Sequence, residues 1–205
     1  MTFAFARMGS TAAAFRPAVA LESSTDEALI GRIARSDQLA MRTLFARHRL
    51  RVYRFVLRIV KDETLAEDLL SDVFLDVWRQ AAQFEARAAV STWLLAIARF
   101  KALSAMRRRM DVELDDEMAA TIADPADDPE VALQHKNGAE MLRQCLIKLS
   151  PAHAEIIDLV YYHGKSVKEV AEIVGISDAT VKTRMFYARK KLAQLVQDTA
   201  PTTIH

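Results

Sequence analysis

The chain has 205 residues, enough for one or two domains that each bury their own core. Its 51% hydrophobic content, with only 5 Gly and 5 Pro and no runs of alternating β-branched residues, favours an all-α fold. A single cysteine, Cys145, excludes an internal disulfide framework and a cysteine-rich metal site, and no apolar run is long enough to span a bilayer. The net charge of +1 hides a segregated pattern. Residues 91–109 hold five basic residues and no acid, whereas residues 111–130 hold nine acids and neither Lys nor Arg.

The amino-terminal part begins with an Ala-rich stretch, residues 1–24, that has no period and is predicted to be a disordered tail. Arg7 and Arg16 interrupt its apolar residues, so a secretory signal is a poor fit. A short helix is predicted over residues 26–34, with Leu29, Ile30 and Ile33 inward. A second helix is predicted over 38–60. Its inward side is predicted to hold Leu39, Leu44, Phe45, Val52, Phe55, Val56 and Ile59. Its other side is rich in arginine, which favours a solvated face or one near nucleic acid.

A third helix is predicted to run from Thr64 to about Gln80, because Thr64 and Glu67 have the spacing of a capping box. Asp68, Asp72 and Asp76 repeat every four residues and should stack on one exposed face, which we call the acidic row. Like charges at this spacing weaken a helix. The residues alone leave two readings equally open: a docking face for a basic partner, or a solvated surface.

Residues 84–90 are predicted to form a loop, after which Ser91 is expected to cap a helix that extends through Arg109. This helix has an inward apolar face and a basic face, with Trp93 and Phe100 at the borders. Basic residues interleaved with aromatic rings suit unstacked single-stranded DNA, although a core position for Trp93 is the stronger interpretation. The acidic stretch 111–135, broken at Pro125 and Pro129, is predicted to be a linker between two domains.

The carboxy-terminal part has a helical pattern again from about residue 138, with Ser150 as cap and Pro151 at the start of the next helix. From residue 166 to 192 the sequence predicts two helices joined by a tight turn. Ser166 with Glu169 forms a second capping-box pattern, Gly175 ends the first helix, and Ser177 caps the second. This is the pattern of a helix-turn-helix with a basic second helix, and it favours a major-groove reader over an ordinary helical hairpin.

Three stretches in this order resemble the extracytoplasmic-function group of sigma factors, bacterial promoter-recognition subunits of the sigma-70 family. Residues 65–78, LAEDLLSDVFLDVW, resemble the family's AEDL-x-x-(D/E)-VF-x-x-VW helix, and residues 91–99, STWLLAIAR, resemble its TWL-x-x-IAR helix. Residues 175–189 resemble its LGIS-x-x-TVK-(S/T)-R-x-x-x-AR helix-turn-helix. The resemblance covers about residues 38–110 and 138–196. It implies two small helical domains, region 2 over 25–110 and region 4 over 137–198, joined by a flexible linker over 111–136, with a tail over 199–205.

The resemblance also implies partners and site residues. The β′ clamp coiled coil of core RNA polymerase should contact Asp68, Ser71, Asp72, Phe74, Leu75 and Asp76. The promoter −10 element should be melted and read by Glu85, Arg87, Thr92, Trp93, Arg99, Lys101, Arg107 and Arg108. The −35 element should be read as duplex by Ser177, Asp178, Thr180, Lys182, Thr183, Arg184, Tyr187 and Arg189. The region 4 surface should meet the β flap, and an anti-sigma factor is the expected regulator.

The sequence departs from the family in two places. Residues 86–90, ARAAV, stand where the family often has Gly-Arg-Ser-Ser-Phe, so an unusual −10 preference is expected. Phe100 stands where Asn is common. The alternatives are an operator-binding helix-turn-helix regulator, which would leave the acidic row and residues 91–99 without a purpose, and a sigma mimic that titrates an anti-sigma factor, which should have lost its basic residues. No nucleophile, acid–base pair or Gly-rich phosphate loop points to an enzyme. No cofactor or metal is expected, and the cytoplasm is the expected location.

Overall fold

The computed structural model describes residues 24–113 and 144–199, and all regular elements within these ranges are helical, as the composition predicts. We number the helices α1 Asp26–Ile33, α2 Gln38–Val60, α3 Glu63–Gln80, α4 Val90–Glu113, α5 Pro151–Tyr161, α6 Val167–Val174 and α7 Asp178–Thr199, with a short 3-10 helix at Ala81–Gln83. Residues 144–147 are also helical. Residues 1–23 of the predicted tail and 114–136 of the predicted linker lie outside the described residues.

The amino-terminal domain, α1 to α4, is built around α2, which packs against the other three helices. Apolar residues spaced three or four apart place Leu44, Val52, Phe55 and Val56 on one face of α2, where each is no more than 1% exposed. Burying a side chain of this size stabilises the fold by roughly 1.5–3 kcal/mol. The prediction for Leu39 is wrong, because its side chain lies in the first turn of α2 and is 51% exposed.

The helix starts of this domain differ from the predicted caps. Asp62, not Thr64, caps α3, and its Oδ1 accepts a hydrogen bond from the Leu65 amide at 3.0 Å. A carboxylate at this position also meets the positive end of the helix dipole, so it is a better acceptor than a hydroxyl two residues later. The α4 helix begins at Val90, and the Ala89 carbonyl accepts from the amides of residues 92 and 93. The predicted Ser91 cap is therefore wrong, and its hydroxyl is available for another contact.

The carboxy-terminal domain, α5 to α7, follows its predicted signals closely. Ser150 precedes Pro151 at the first position of α5, although the serine hydroxyl makes no capping hydrogen bond. Gly164 follows α5 with a φ of +63°, a left-handed conformation that suits glycine. The domain has a small cluster of its own, formed by Leu149, Ile157 and Ala188.

The two domains lie against each other instead of standing apart. α4 packs on α6, and α2 touches α5. Ile156, Leu159 and Val170 of the carboxy-terminal domain belong to the same buried apolar cluster as Phe55 and Leu94 of the amino-terminal domain. The sequence did not predict this closed arrangement. Helix α4 also runs to Glu113, three residues into the stretch predicted as linker, since neither Gly nor Pro ends it there. Among the described helices, none has the length and apolarity needed to cross a membrane.

Candidate nucleic-acid interface

The helix-turn-helix of α6 and α7 is held by local hydrogen bonds at each helix start. The Ser166 hydroxyl accepts from the Glu169 amide at 3.3 Å while the Glu169 carboxylate accepts from the Ser166 amide at 3.0 Å, which confirms the predicted capping box. Gly175 ends α6 with a φ of +74°, and the Ser177 hydroxyl accepts from the Thr180 amide at 3.2 Å. Buried Val181 fixes α7 on the domain core. These contacts set the direction in which α7 leaves the turn.

The outer face of α7 is open along its length. Lys182, Thr183, Tyr187 and Arg189 are exposed, and Arg184 is half-buried. The other predicted −35 residues at this end of the helix are exposed Ser177 and Asp178 and half-buried Thr180. The Arg189 Nε donates to the Tyr161 hydroxyl at 2.9 Å, so this guanidinium is held in place by α5. All eight predicted −35 residues lie on α7 or at its cap, where six are exposed and two are half-buried.

A groove of about 440 Å³ lies beside this surface, between the start of α6 and the middle of α7. It is lined by Val167, Lys182, Met185, Phe186, Arg189 and Lys190. Phe186 and Tyr187 are both more than half exposed and meet edge to face, with ring centroids 5.4 Å apart. Cations beside exposed rings suit contacts to a polyanion that also presents flat or apolar surface.

The predicted −10 residues divide into two sets, of which the first is open to solvent. Glu85 and Arg87 lie on the loop before α4 and form an exposed ion pair at 2.6 Å. Ala86 between them has a φ of +54°, where glycine is favoured, and this residue replaces the glycine common in the family loop. Arg107 and Arg108, near the far end of α4, are also exposed.

The second set of predicted −10 residues is engaged within the protein. Thr92 is only 2% exposed, and Trp93 packs on Phe84 with ring centroids 5.0 Å apart. The Arg99 guanidinium donates from Nε and Nη2 to the two oxygens of Glu155, at 2.7 and 3.3 Å. Lys101 pairs with Asp76 at 2.8 Å. The structure therefore places these four residues on α4 as predicted, but not on an open surface.

Only two of the three carboxylates in the acidic row on α3 are exposed. Asp68 and Asp72 are exposed, whereas Asp76 has a side chain only 23% exposed and is paired with Lys101. Ser71 and Leu75 are exposed beside it, Leu75 by 51%. The prediction of a surface contact fails for Phe74, which is 4% exposed because its ring packs edge to face on Phe45, at 4.8 Å between centroids.

Sequence reasoning missed the carboxy-terminal residues that reach the amino-terminal domain. Lys165 is 8% exposed, and its Nζ donates to the hydroxyls of Ser91 at 2.6 Å and Thr92 at 2.9 Å. The Thr92 hydroxyl in turn donates to Glu169 at 2.6 Å. We call Ser91, Thr92, Lys165 and Glu169 the polar contact cluster. A lysine directly before a helix cap carries no signal of burial, so only the tertiary structure reveals this cluster.

The electrostatics of the polar contact cluster follow from its hydrogen bonds. Burial acts to raise the pKa of Glu169, but hydrogen bonds from Thr92, from the amide and hydroxyl of Ser166 and from Lys165 together lower it to about 2. The Lys165 ammonium also pairs with this carboxylate at 3.1 Å. Besides the Arg99–Glu155 pair, an ion pair between Arg58 and Asp158 joins the two domains. The Arg58 guanidinium also lies 4.0 Å from the centroid of the Tyr162 ring. In the part of the chain that the structure describes, no group of three His, Cys, Asp or Glu is placed to hold a metal ion.

Two family models match the chain: Sigma-70 region 2 over residues 44–111 and Sigma-70, region 4, over residues 139–192. The ECF RNA polymerase sigma factor SigK of Mycobacterium tuberculosis is 32% identical over 174 residues, which span 83% of this chain and 92% of SigK. SigK of Mycobacterium sp. strain KMS is 29% identical over 162 residues, or 78% and 84% of the two chains.

Two solved structures have the same fold. One is the sigma factor RpoE in complex with the anti-sigma factor NepR from Bartonella quintana, with a TM-score of 0.65 at 24% identity over 76% of this chain and 95% of that chain. The other is CnrH in complex with the cytosolic domain of CnrY, with a TM-score of 0.61 at 24% identity over 86% and 100% of the two chains.

Proposed function

The chain belongs to the ECF RNA polymerase sigma factors of the sigma-70 family, and from this membership we propose which of its surfaces carries each step of promoter recognition. A sigma factor does no covalent chemistry. It binds core RNA polymerase, directs it to promoters and lowers the cost of opening the duplex. We assign polymerase binding and −10 recognition to residues 25–110 and −35 recognition to residues 137–198, with the acidic stretch 111–136 as the connector.

The open outer face of α7 is the observation that carries the proposal. It presents Lys182, Thr183 and Arg184 on a helix whose start is held by Ser177, in the arrangement by which a recognition helix enters the major groove. Lysine and arginine there supply phosphate contacts and base-edge contacts, and each good base contact discriminates by roughly 1–3 kcal/mol. Asp178, Tyr187 and Arg189 extend the same surface. The β flap of the polymerase is the proposed partner of the surface around it.

The −10 element is proposed to contact the loop before α4 and the basic side of α4. Glu85, Arg87, Arg107 and Arg108 are exposed and can reach DNA directly. Extruding a base from the stack costs a few kcal/mol, which contacts made by this loop have to offset. Thr92, Trp93, Arg99 and Lys101 join this surface only after their present contacts are exchanged for contacts with DNA.

The acidic row is proposed to dock on the β′ clamp coiled coil through Asp68 and Asp72, with Ser71 and Leu75 beside them. Asp76 is proposed to act by holding Lys101 on α4, since this carboxylate already has a cation 2.8 Å away. An anti-sigma factor is the proposed regulator, and the two similar structures support the proposal, because RpoE is in complex with the anti-sigma factor NepR and CnrH with the cytosolic domain of CnrY. The cytoplasm is the proposed location.

Run-off transcription tests the proposal as a whole. Purified protein is mixed with core RNA polymerase and DNA from upstream of its own coding sequence, and a discrete transcript is expected. Binding to duplex DNA without association with core polymerase would favour an operator-binding regulator instead. Binding to an anti-sigma factor with no transcription would favour a sigma mimic.

Paired variants test the site assignments. Lys182→Ala with Arg184→Ala should weaken −35 duplex binding by roughly 10–100-fold and leave core binding intact. Lys148→Ala with Lys168→Ala removes the same charge from exposed positions of this domain that lie outside α7 and serves as the control. An equal loss in both pairs would mean that net charge, not the α7 face, determines binding.

A charge reversal tests the polymerase contact in the same way. Asp68→Lys with Asp72→Lys should weaken core binding, because two exposed carboxylates that face a basic partner become like charges. Glu27→Lys with Asp198→Lys makes the same charge change at exposed positions elsewhere. Core affinity that is unchanged by the first pair would remove the acidic row from the interface.

A further inference from the structure

Phe100 on α4 is the most exposed large apolar side chain in the described ranges, at 67%. It belongs to neither apolar cluster and has no ring partner among the described residues. Phenylalanine also favours a helix less than alanine, lysine or arginine does. Neither packing nor helix formation therefore accounts for a phenylalanine at this position. Single exposed apolar residues are common on protein surfaces, so the surroundings of the ring have to show whether it has a ligand.

The ring of Phe100 lies on the solvent face of α4. Ala98 and Ala102, both fully buried, lie on the opposite side of the helix because successive residues turn by about 100°. The two neighbours of Phe100 in sequence, Arg99 and Lys101, are each held in an ion pair on either side of it. Phe100 therefore stands between two fixed cations and is accessible in the present arrangement of the helices.

An arginine shares this face of the helix. Arg107 follows Phe100 by seven residues, or nearly two full turns, and is exposed. Its Nη2 donates to the Ser104 hydroxyl at 3.4 Å, a contact that keeps the guanidinium on the same side of α4 as the ring. Trp93 lies seven residues before Phe100 and already has a ring partner. We call Phe100, Ser104 and Arg107 the stacking face.

The chemistry of the stacking face fits an unpaired nucleic-acid strand. Each nucleotide presents a flat, largely apolar base and an anionic phosphate, and α4 has no acid over residues 90–110 to repel it. Seven residues of helix rise about 10 Å, the length of about three stacked nucleotides, so one strand can meet both the ring and the guanidinium. In duplex DNA each base face is covered by the next base pair, so the ring can stack only on an unpaired base.

A protein partner fits the same surface less well. An apolar protein surface needs a contiguous exposed apolar patch opposite it. The next exposed residues after Phe100 on α4 are instead Arg107 and Arg108, and neither has an acidic partner among the described residues. Exposed cations beside an exposed ring favour a polyanion that also offers flat faces.

We propose that Phe100 is a stacking platform for one unpaired base of the melted −10 strand, with Arg107 on a nearby phosphate. This inference rests on the proposed function, which supplies the strand. Because every base has a π face, the platform holds its base whatever the identity of that base. Phe100 therefore adds affinity for the open strand, and sequence preference comes from other contacts, such as those of the loop before α4.

Three substitutions separate stacking from simple apolar contact. Phe100→Ala removes the ring, Phe100→Leu keeps an apolar side chain without a ring, and Phe100→Trp keeps a ring. The exposure of Phe100 makes all three compatible with folding, which circular dichroism verifies. Leu50→Ala is the control, because Leu50 is a 55% exposed apolar residue on α2 of the same domain.

Strand binding is measured with holoenzyme assembled from each variant and core RNA polymerase. The ligand is a fluorescent single-stranded 12-mer that covers the −10 region of the non-template strand, from the promoter mapped by run-off transcription. A set of 12-mers that each lack one base is then bound to the unaltered holoenzyme and to the Phe100→Ala holoenzyme. Comparing the two series gives a double-mutant cycle between Phe100 and every base of the strand.

We expect Phe100→Ala and Phe100→Leu to weaken strand binding about tenfold, and Phe100→Trp and Leu50→Ala to leave it unweakened. At one position of the strand, removing the base should weaken binding to the unaltered holoenzyme about tenfold and cause no further loss with Phe100→Ala. Exchanging the base at that position for any other should change affinity by less than about twofold, because stacking does not depend on base identity.

Several results would overturn the proposal. Losses that multiply at every position would mean that Phe100 touches no base, and full binding by Phe100→Leu would mean that the ring is not needed. A loss of core binding by Phe100→Ala would assign the ring to the polymerase instead. Strand binding that is lost with Arg87→Ala but is unaffected by Phe100→Ala would overturn this inference and leave the proposed function standing. An unaltered holoenzyme that binds no strand would refute the proposed −10 function itself, and this inference with it.

Discussion

Acidification to pH 5.0 should destabilise the protein through His163, a buried histidine at the contact between the domains. Its side chain is 5% exposed. Burial, followed by the positive charges of Arg58, Lys165 and Arg51, lowers its pKa from 6.5 to about 4. The Asp158 carboxylate lies 3.4 Å from Nε2, but it also forms an ion pair with Arg58, so its negative charge is largely compensated. His163 is therefore neutral in the folded protein at neutral pH.

The sign and size of the effect follow from linkage. Between pH 6.5 and about 4, the imidazole binds a proton in the unfolded chain but not in the folded one. Its contribution is complete above pH 6.5 and is lost as the pH falls toward 4. With 1.36 kcal/mol per pKa unit, the free energy of unfolding should fall by about 2 kcal/mol between pH 7.5 and 5.0.

Urea unfolding followed by circular dichroism at pH 7.5 and 5.0 measures this difference. Asp and Glu side chains of ordinary pKa stay mostly ionised at pH 5.0, so the interval isolates the histidines. His163→Asn should be less stable at pH 7.5 and should lose about 2 kcal/mol less than the unaltered protein on acidification. His153→Asn, on the same domain, should keep the full pH dependence. If His163→Asn lost as much stability on acidification as the unaltered protein, His163 would not be the source of the pH dependence.

Five further substitutions test local features by the same unfolding measurement. Asp62→Ala should lower the free energy of unfolding by about 1 kcal/mol because it removes the cap of α3, whereas Thr64→Ala should change it by no more than a few tenths of a kcal/mol. A larger loss for Thr64→Ala than for Asp62→Ala would instead support the predicted capping box. Gly175→Ala should cost about 1–2 kcal/mol because φ is +74°, while Gly31→Ala, in the interior of α1 with open space around it, should stabilise by roughly 0.5–1 kcal/mol. Phe55→Ala should cost roughly 3–5 kcal/mol, and a loss below 1 kcal/mol would mean that Phe55 is not the centre of the core.

Short-range signals determined most of what the sequence predicted correctly. The capping box at Ser166, the left-handed Gly175 and the Ser177 cap each depend on residues no more than four apart. Apolar spacing likewise placed Leu44 and Val52 in the core of α2. These features are fixed by the chemistry of one turn of chain, so they can be read without knowing the tertiary structure.

Errors arose where two local solutions compete. Thr64 and Asp62 can each cap a helix in the same place, and the charged acceptor is the one that does so. Leu39 fits the apolar period of α2, but it lies in the first turn, where the core does not reach. Phe74 belongs to the family motif over residues 65–78 and was predicted to contact the polymerase, but its packing on Phe45 places it inside.

Contacts between residues far apart in sequence could not be predicted at all. Thr92 and Glu169 are separated by 77 positions, and Arg99 and Glu155 by 56. Each is a common charged or polar residue on a helix face that a period analysis assigns to solvent. Only the packing of α4 on α6 turns these faces toward each other. The burial of Thr92 and the pairing of Arg99 are for this reason properties of the tertiary structure, although both residues were singled out in the sequence.

Glu169 shows why the two kinds of information have to be separated by experiment. One oxygen, Oε2, completes the capping box with Ser166, and the other, Oε1, accepts from Thr92 and Lys165. The capping box alone explains why a glutamate stands at this position, so its pattern gives no reason to look for a second role. Replacing Glu169 would weaken the start of α6 and the contact between the domains together, and neither effect could be assigned. Glu155 and Lys165 make contacts to α4 without capping a helix, so they are the positions at which the contact between the domains can be changed while the helix-turn-helix is left intact.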